Sequence, residues 1–496
     1  MVIQELEEIV TLIKQGEIED ESLRTRLSQL RTKIQNPRYR FNLTPEQQRE
    51  MVKLLDASDP KVRKNLVLLL GELHSDASID AIFKAYVREE RRFVKSAYLT
   101  AMGQMDYRAY VPYFKEEEAK LQVMELTIEN EKHVQDQLQL LSKLILDMEG
   151  IETHAFTGYQ QESTLVLMTN PNCVEATASQ ITSLNPISFR TGVKVVTDKL
   201  QTLLPIRTYR EILFQVKGMT KLSDNPERAG IQIAESSLLS FLEERHAGEK
   251  PFYYRIELKG SMDPSKKSAF LKKMVTYIGL RSKRNLRNSP SHYEVEIRMV
   301  ERSEGGYYAF AKLYTLEDGR FAYRQATIAT SIKPVDAALL VELAKPYMVE
   351  NARVLDPFCG VGTMLIERQF VVKAHTSYGI DQYPEAIVNA RMNTEQANQI
   401  IHYVNRDFFT FTHEYEFDEI FTNMPFAMGR TTQEEIYEIY KRFFAHIGNH
   451  LVQGGTVILY THDIEYVKEL AKLHGYQILK QIPITTKKHT DLIILR

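Results

Sequence analysis

The feature that most constrains this chain is the run Val354-Leu355-Asp356-Pro357-Phe358-Cys359-Gly360-Val361-Gly362-Thr363, an apolar strand that ends in an acid and turns through two glycines into a helix over 364–371. A strand that passes straight into a helix opens a parallel pairing, because parallel strands need a crossover and a helix is the usual one. The alternation continues with strand 378–380, helix 384–396, strands 401–404 and 418–422, helix 434–451, strand 457–460 and helix 467–473. Two closing strands, 477–482 and 491–495, have no helix between them and predict an antiparallel hairpin. The expectation is an α/β domain over 330–496, an open parallel sheet wound on both faces.

Ligands of such sheets bind beyond the carboxyl ends of the strands, and this sequence puts an acid there three times. Gly360 and Gly362 let the backbone approach a ligand closely. The turn lacks the Gly-Lys-Ser/Thr of a phosphate loop and the three glycines of the dinucleotide fingerprint. Asp356 suits a ligand bearing an ammonium, since a carboxylate aimed at pyrophosphate would be repulsive. Asp381, 25 residues further on and followed by Gln382, is placed to accept hydrogen bonds from both hydroxyls of a ribose. After the third strand, Asp407 can receive an adenine amino group and Phe408 can pack on the ring. A nucleoside that carries an amino acid suggests S-adenosylmethionine.

The fourth strand ends in Asn423-Met424-Pro425-Phe426. The exocyclic amine of a nucleobase is a poor nucleophile, its lone pair spread into the ring, so a site must hold it in line with the methyl group. The Asn423 side-chain carbonyl and the Met424 main-chain carbonyl can accept the two amine hydrogens. Pro425 fixes the turn, and Phe426 can stack on an extruded base.

On these two motifs, residues 330–496 resemble a class I S-adenosylmethionine-dependent methyltransferase of the group that modifies nucleobase amines. The resemblance implies a Rossmann-like fold and S-adenosylmethionine as cofactor, held by Phe358, Thr363 and Gln382 beside the acids and glycines. It also implies that the loop near Ser331, Lys333 and Pro334 touches the methionine end. Met424 in second position is similar to the guanine-N2 RNA methyltransferases, whereas adenine-N6 enzymes mostly carry two prolines. Ala427 departs from the glycine that those enzymes usually have.

Upstream, 152–318 reads as α+β, with alternating strands at 252–258 and 293–299 that should each have one wet face, a helix over 266–280 and a strand over 308–314. Lys266, Lys267, Lys272, Lys273, Arg281, Lys283, Arg284 and Arg287 stand there against one acid, Asp263, within 261–290. Bases on a helix and the turn after it, facing one way, are what phosphate contact needs. The order of elements, with Thr169-Asn170-Pro171-Asn172-Cys173-Val174-Glu175 early and the strand from Phe252 later, resembles a THUMP domain behind a ferredoxin-like leader. Such modules imply binding to tRNA or structured RNA.

Residues 1–150 read as all-helical. The stretch from Val62 to Gly71 matches that from Val94 to Gly103 at an offset of 32 residues, which resembles paired helices of a HEAT-like repeat. Val134, Leu138, Leu141, Ile145 and Met148 line one face of a capping helix. The module offers a surface for a protein partner.

A length of 496 residues predicts about three domains. Lys and Arg number 63 against 65 Asp and Glu, so RNA has to be met by a local patch and not by bulk charge. Two cysteines, Cys173 and Cys359, exclude a disulfide framework and fit a reducing compartment. Cys359 has no neighbouring base and is read as packing. His446 and His450 stand one turn apart without the glutamate or third ligand of a zinc site, so no metal is expected. An acidic N-terminus and the absence of a long apolar run predict a soluble, cytoplasmic protein with no membrane partner. The reading is a tRNA guanine-N2 methyltransferase. Its alternatives are adenine-N6 methylation of RNA or DNA, and a scaffold carrying an inactive methyltransferase fold.

Overall fold

The computed structural model describes residues 2–15, 20–34, 41–124, 127, 130–248, 251–485 and 489–496. The chain divides into two compact units, one of residues 1–153 with 253–255 and 287–293, the other of 154–252, 256–286 and 294–496. Among the described residues no helix is long and apolar enough to cross a membrane.

The first unit is a stack of helix pairs. Asp20–Ile34 packs on Pro60–Glu72, that helix on Arg92–Met102, and that in turn on Glu131–Glu149. Proline starts several of these helices at a position where its missing N–H costs nothing: Thr44 caps Pro45–Lys53 with a capping box, and Asp59 caps Pro60–Glu72. The two glycines of the 32-residue repeat do equivalent work. A Cβ at Gly71 would press on Ala101 of the next inner helix, and one at Gly103 on Leu144 of the one after. Of the five residues expected to line the capping helix, Met148 is exposed and the other four are buried.

After these helices in the chain, an eight-stranded sheet runs in the order Ile187–Phe189, Gly192–Thr197, Ser163–Met168, Glu211–Gln215, Tyr307–Leu313, Val295–Glu301, Phe252–Lys259, Leu286–Asn288. The alternation at 293–299 does not produce a wet face. Glu294 and Glu296 are buried at 1% and 0% exposure, Glu294 against the His154 ring at 2.8 Å and Glu296 against Arg298 at 2.7 Å. Arg298 extends the chain of charges to Glu211, which also accepts from Lys312. Polar alternation here marks a buried ionic network in which each charge has a partner.

The C-terminal sheet has seven strands in the order His402–Asn405, Thr376–Asp381, Arg353–Asp356, Phe417–Asn423, Leu451–Thr461, Thr490–Leu495, Ile478–Thr485. The first five are parallel, and the last two join as the expected antiparallel hairpin. Arg353–Asp356 lies in the middle, and the chain winds outward from it to both sides. That reversal opens a crevice at the carboxyl ends of the central strands.

Candidate active site

Strand register brings these residues to the same end of the sheet: Asp356 pairs with Gly379, Asp381 with Asn405, and Asn423 with Tyr460. Beyond these ends lies a cavity of about 400 Å³. Its wall includes Phe358, Gly360, Thr363, Asp381, Gln382, Asp407, Phe408 and the four residues Asn423, Met424, Pro425 and Phe426. Asp356, Gly362, Lys333 and Pro334 do not line it.

Each of those four has a different position to report. Lys333 caps the helix Pro334–Ala344, which Pro334 begins, and it is Thr330, Ser331 and Ile332 before them that reach the wall. Gly362, at φ +81°, meets a different constraint from ligand approach, because a Cβ there would collide with the Tyr403 hydroxyl. Gly360, at φ +52°, is the glycine that opens on the cavity, and a Cβ there meets nothing within 4 Å. Asp356 is wholly buried behind the loop. Its Oδ1 accepts from the Thr422 hydroxyl at 2.6 Å and the Phe358 N–H at 3.1 Å, while its Oδ2 has no hydrogen-bond partner. Burial pushes this carboxyl up to about 7, with the nearby Asp381 adding to the rise and the two hydrogen bonds opposing it.

Asp381 faces the cavity with both oxygens anchored, Oδ2 by the Gly360 N–H and Oδ1 by the Tyr383 N–H, each at 2.9 Å. Every carboxylate oxygen has a second lone pair, so the side chain is fixed and still able to accept. Burial raises this carboxyl above its usual range against the pull of those two N–H groups. Asp407 caps the short helix Phe408–Thr410 through the Phe409 N–H at 3.0 Å, and its Oδ2 lies 3.8 Å from Arg442 Nη2. Phe408 is only 2% exposed, held among Phe358, Phe443, His446 and His450. The less buried Phe409 also lines the cavity, with the Arg442 guanidinium 3.8 Å over its ring.

At the fourth strand, Asn423 Oδ1 is enclosed without a hydrogen-bond partner, while the Met424 N–H donates to the Tyr460 carbonyl at 2.9 Å. The Phe426 ring stacks on His462, centroids 4.3 Å apart and planes 25° from parallel. Sequence reasoning missed Phe409, Arg442 and His462. Ile436, Ile439 and Arg442 come to the wall from one face of Gln433–His446, and their spacing of three is the signal that could have found them.

The Lys267 ammonium donates to the Leu258 carbonyl at 2.9 Å, and Lys273 pairs with Glu227 at 3.2 Å. Arg287 belongs to the first unit and pairs with Glu118 of that unit at 3.6 Å. Lys266, Lys272, Arg281 and Lys283 are exposed, and Arg284 is half-buried. Three of the eight bases, Lys267, Lys273 and Arg287, thus have partners within the fold. His446 and His450 meet through their Nε2 atoms at 3.2 Å, and burial together with His446 and His413 pushes His450 down to about 4. Among the described residues no group of three or more His, Cys, Asp or Glu side chains could hold a metal ion. Cys359 is buried, which raises its thiol well above the usual value.

The lining groups carry two carboxylates, Asp381 and Asp407, against one cation, Arg442. With the enclosed Asn423 oxygen lacking a donor, that set fits a ligand rich in hydroxyl and amino hydrogens and does not fit a polyphosphate. The family model described as UPF0020, RMKL-like, methyltransferase domain, matches residues 322–487. The chain is an S-adenosylmethionine-dependent methyltransferase. About two thirds of the chain shares its fold with TrmN from Thermus thermophilus, at 18% identity over 67% of this chain and 99% of that one, TM-score 0.51. The same is true of SMU.472, described as a methyltransferase and solved with SAH, at 12% identity over 67% of this chain and 97% of that one, TM-score 0.51.

Proposed function

We propose that this methyltransferase modifies the exocyclic amine of a nucleobase in RNA, with N2 of a guanosine in tRNA as its target. The observation that carries the reading is Asn423 Oδ1, an amide oxygen on the cavity wall that is enclosed and has no donor. An unmet buried acceptor costs about 1–3 kcal/mol, and an amine hydrogen is the donor that would satisfy it. S-adenosylmethionine, when bound, supplies a methyl group on a sulfonium centre. Asp381 would hold the ribose hydroxyls, and Gly360 would give the ligand room to pass the loop. Asp407, already oriented by the Phe409 N–H, would accept from the adenine amine, with Phe409 taking the ring contact in place of the buried Phe408. Asn423 and the Met424 carbonyl would draw the two amine hydrogens of the base toward themselves and so aim its lone pair. Phe426 would stack on the base. Held so, the amine nitrogen would be presented to the methyl group that the cofactor supplies, and one amine proton would leave to solvent.

Met424 favours guanine over adenine by its likeness to the guanine-N2 group. The α+β segment, read as THUMP-like, would bind RNA through Lys266, Lys272, Arg281 and Lys283. The stacked helix pairs, read as a HEAT-like module, would receive a protein partner in the cytoplasm. The test is to incubate the protein with methyl-labelled S-adenosylmethionine and separate pools of unmodified tRNA, ribosomal RNA and DNA, then identify the labelled nucleoside. N2-methylguanosine from tRNA is expected. N6-methyladenosine would overturn the guanine assignment, and label in ribosomal RNA alone would overturn the tRNA assignment.

A further inference from the structure

The strand Leu451–Thr461 runs beside Phe417–Asn423 with Tyr460 opposite Asn423. Two residues past Tyr460 comes His462, and three past Asn423 comes Phe426, so the sheet delivers both rings to the same end of adjacent strands. They stack at 4.3 Å with planes 25° apart. Phe426 lines the cavity, whereas His462 does not. The turn carrying His462 is itself pinned: the Asp463 N–H donates to Thr461 Oγ1 at 2.9 Å, and the Thr461 hydroxyl meets that of Tyr440 at 2.8 Å in the core.

The geometry points to His462 as a positioning residue for the methyl acceptor, backing Phe426 so that nucleobase, Phe426 and His462 form a three-ring stack. This rests on the reading of the cavity as a nucleobase-amine site. An aromatic ring with a parallel partner on one face has its plane set before a second ring arrives on the other. Methyl transfer demands alignment of amine, methyl carbon and sulfur, and a misplacement of about 1 Å can cost on the order of a hundredfold in rate. His462 thus acts on the chemistry through Phe426, without touching base or cofactor.

The experiment compares wild-type protein with His462→Ala, His462→Leu and His462→Phe on the RNA pool that the wild type labels, measuring kcat, KM, S-adenosylmethionine affinity by calorimetry and Tm. The alanine and leucine variants should lose roughly tenfold in kcat, the scale of one aromatic pair, with cofactor affinity and Tm retained. Phenylalanine should restore kcat to within about twofold, since it keeps the stacked plane. Leucine performing as well as phenylalanine would overturn the stack, because packing volume alone would then suffice. Unchanged kinetics in His462→Ala, beside a wild type that transfers methyl, would overturn the role of His462 by itself. A wild type that methylates no nucleobase amine in any pool would overturn the reading of the cavity, and this inference with it.

Discussion

Replacing Asp356 with asparagine should make the folded chain less sensitive to pH, and the size of the effect follows from the burial of that one carboxyl. Asp356 is wholly enclosed, and burial first, then the charge of Asp381, pushes it up to about 7. An unfolded aspartate titrates near 3.9. The folded chain therefore holds the proton more tightly, so the stabilisation is complete below about pH 4 and is lost as pH rises through about 7. Some three pH units at about 1.4 kcal/mol each give about 4 kcal/mol in all, of which about 3 kcal/mol falls between pH 5 and pH 8. Asparagine keeps an oxygen for the Thr422 hydroxyl and the Phe358 N–H but cannot ionise. Melting curves of both proteins at pH 5, 6, 7 and 8, without cofactor, measure the difference. The gap in Tm should move in favour of Asp356→Asn by roughly 5–10 °C across that range, for a domain of this size. Thr422→Val removes the 2.6 Å donor that favours the ionised form, so it should raise the carboxyl further and carry the decline on to higher pH. A gap that stays flat to within about 1 °C would refute the argument, because Asp356 would then be ionised in the folded chain at pH 5.

Asn423→Ala should lower kcat by about a hundredfold or more while S-adenosylmethionine affinity, by calorimetry, changes less than about twofold; equal losses in both would move Asn423 to the cofactor. Gly362→Ala, which drives a Cβ into Tyr403, should lower Tm, whereas Gly360→Ala should fold and weaken cofactor binding, and the reverse pattern would exchange their roles. Glu367 is wholly buried and accepts from Arg207 at 2.7 Å on both oxygens and from the Tyr323 hydroxyl at 2.7 Å. Arg207→Ala strands that carboxylate and should cost about 3–5 kcal/mol, read from the urea midpoint, while Arg207→Met with Glu367→Leu should cost less than either change alone.

The parallel sheet and its crevice were legible because the signals that make them are local. Apolar runs of strand length, a glycine turn after Asp356 and helices between strands all act within about thirty residues. What stayed hidden depends on chain that is distant in sequence. Gly362 answers to Tyr403, forty-one residues away. Arg442 reaches Asp407 from a helix whose spacing aligns it with Ile436 and Ile439 but does not show that Asp407 faces it. Alternation at Glu294 and Glu296 reads as a wet face, since a sequence does not show that His154 and Arg298 arrive to pair with them. The partners of the basic segment were hidden for a related reason: the local sequence does not show that Lys267 meets the Leu258 carbonyl or that Lys273 meets Glu227.

The three acids at the strand ends looked alike in the sequence and differ in the fold by their depth. Asp381 and Asp407 stand on the wall with backbone N–H groups orienting them. Asp356 lies beneath, and what it holds is the loop through Phe358 and the fourth strand through Thr422, the residue before Asn423. One buried carboxyl thus ties the turn that opens the cavity to the strand that presents the unmet Asn423 oxygen. That link explains why an acid is kept where burial makes its charge costly. An apolar residue would remove the penalty, but it would leave the Phe358 N–H and the Thr422 hydroxyl without an acceptor, and with them the register between the two halves of the site.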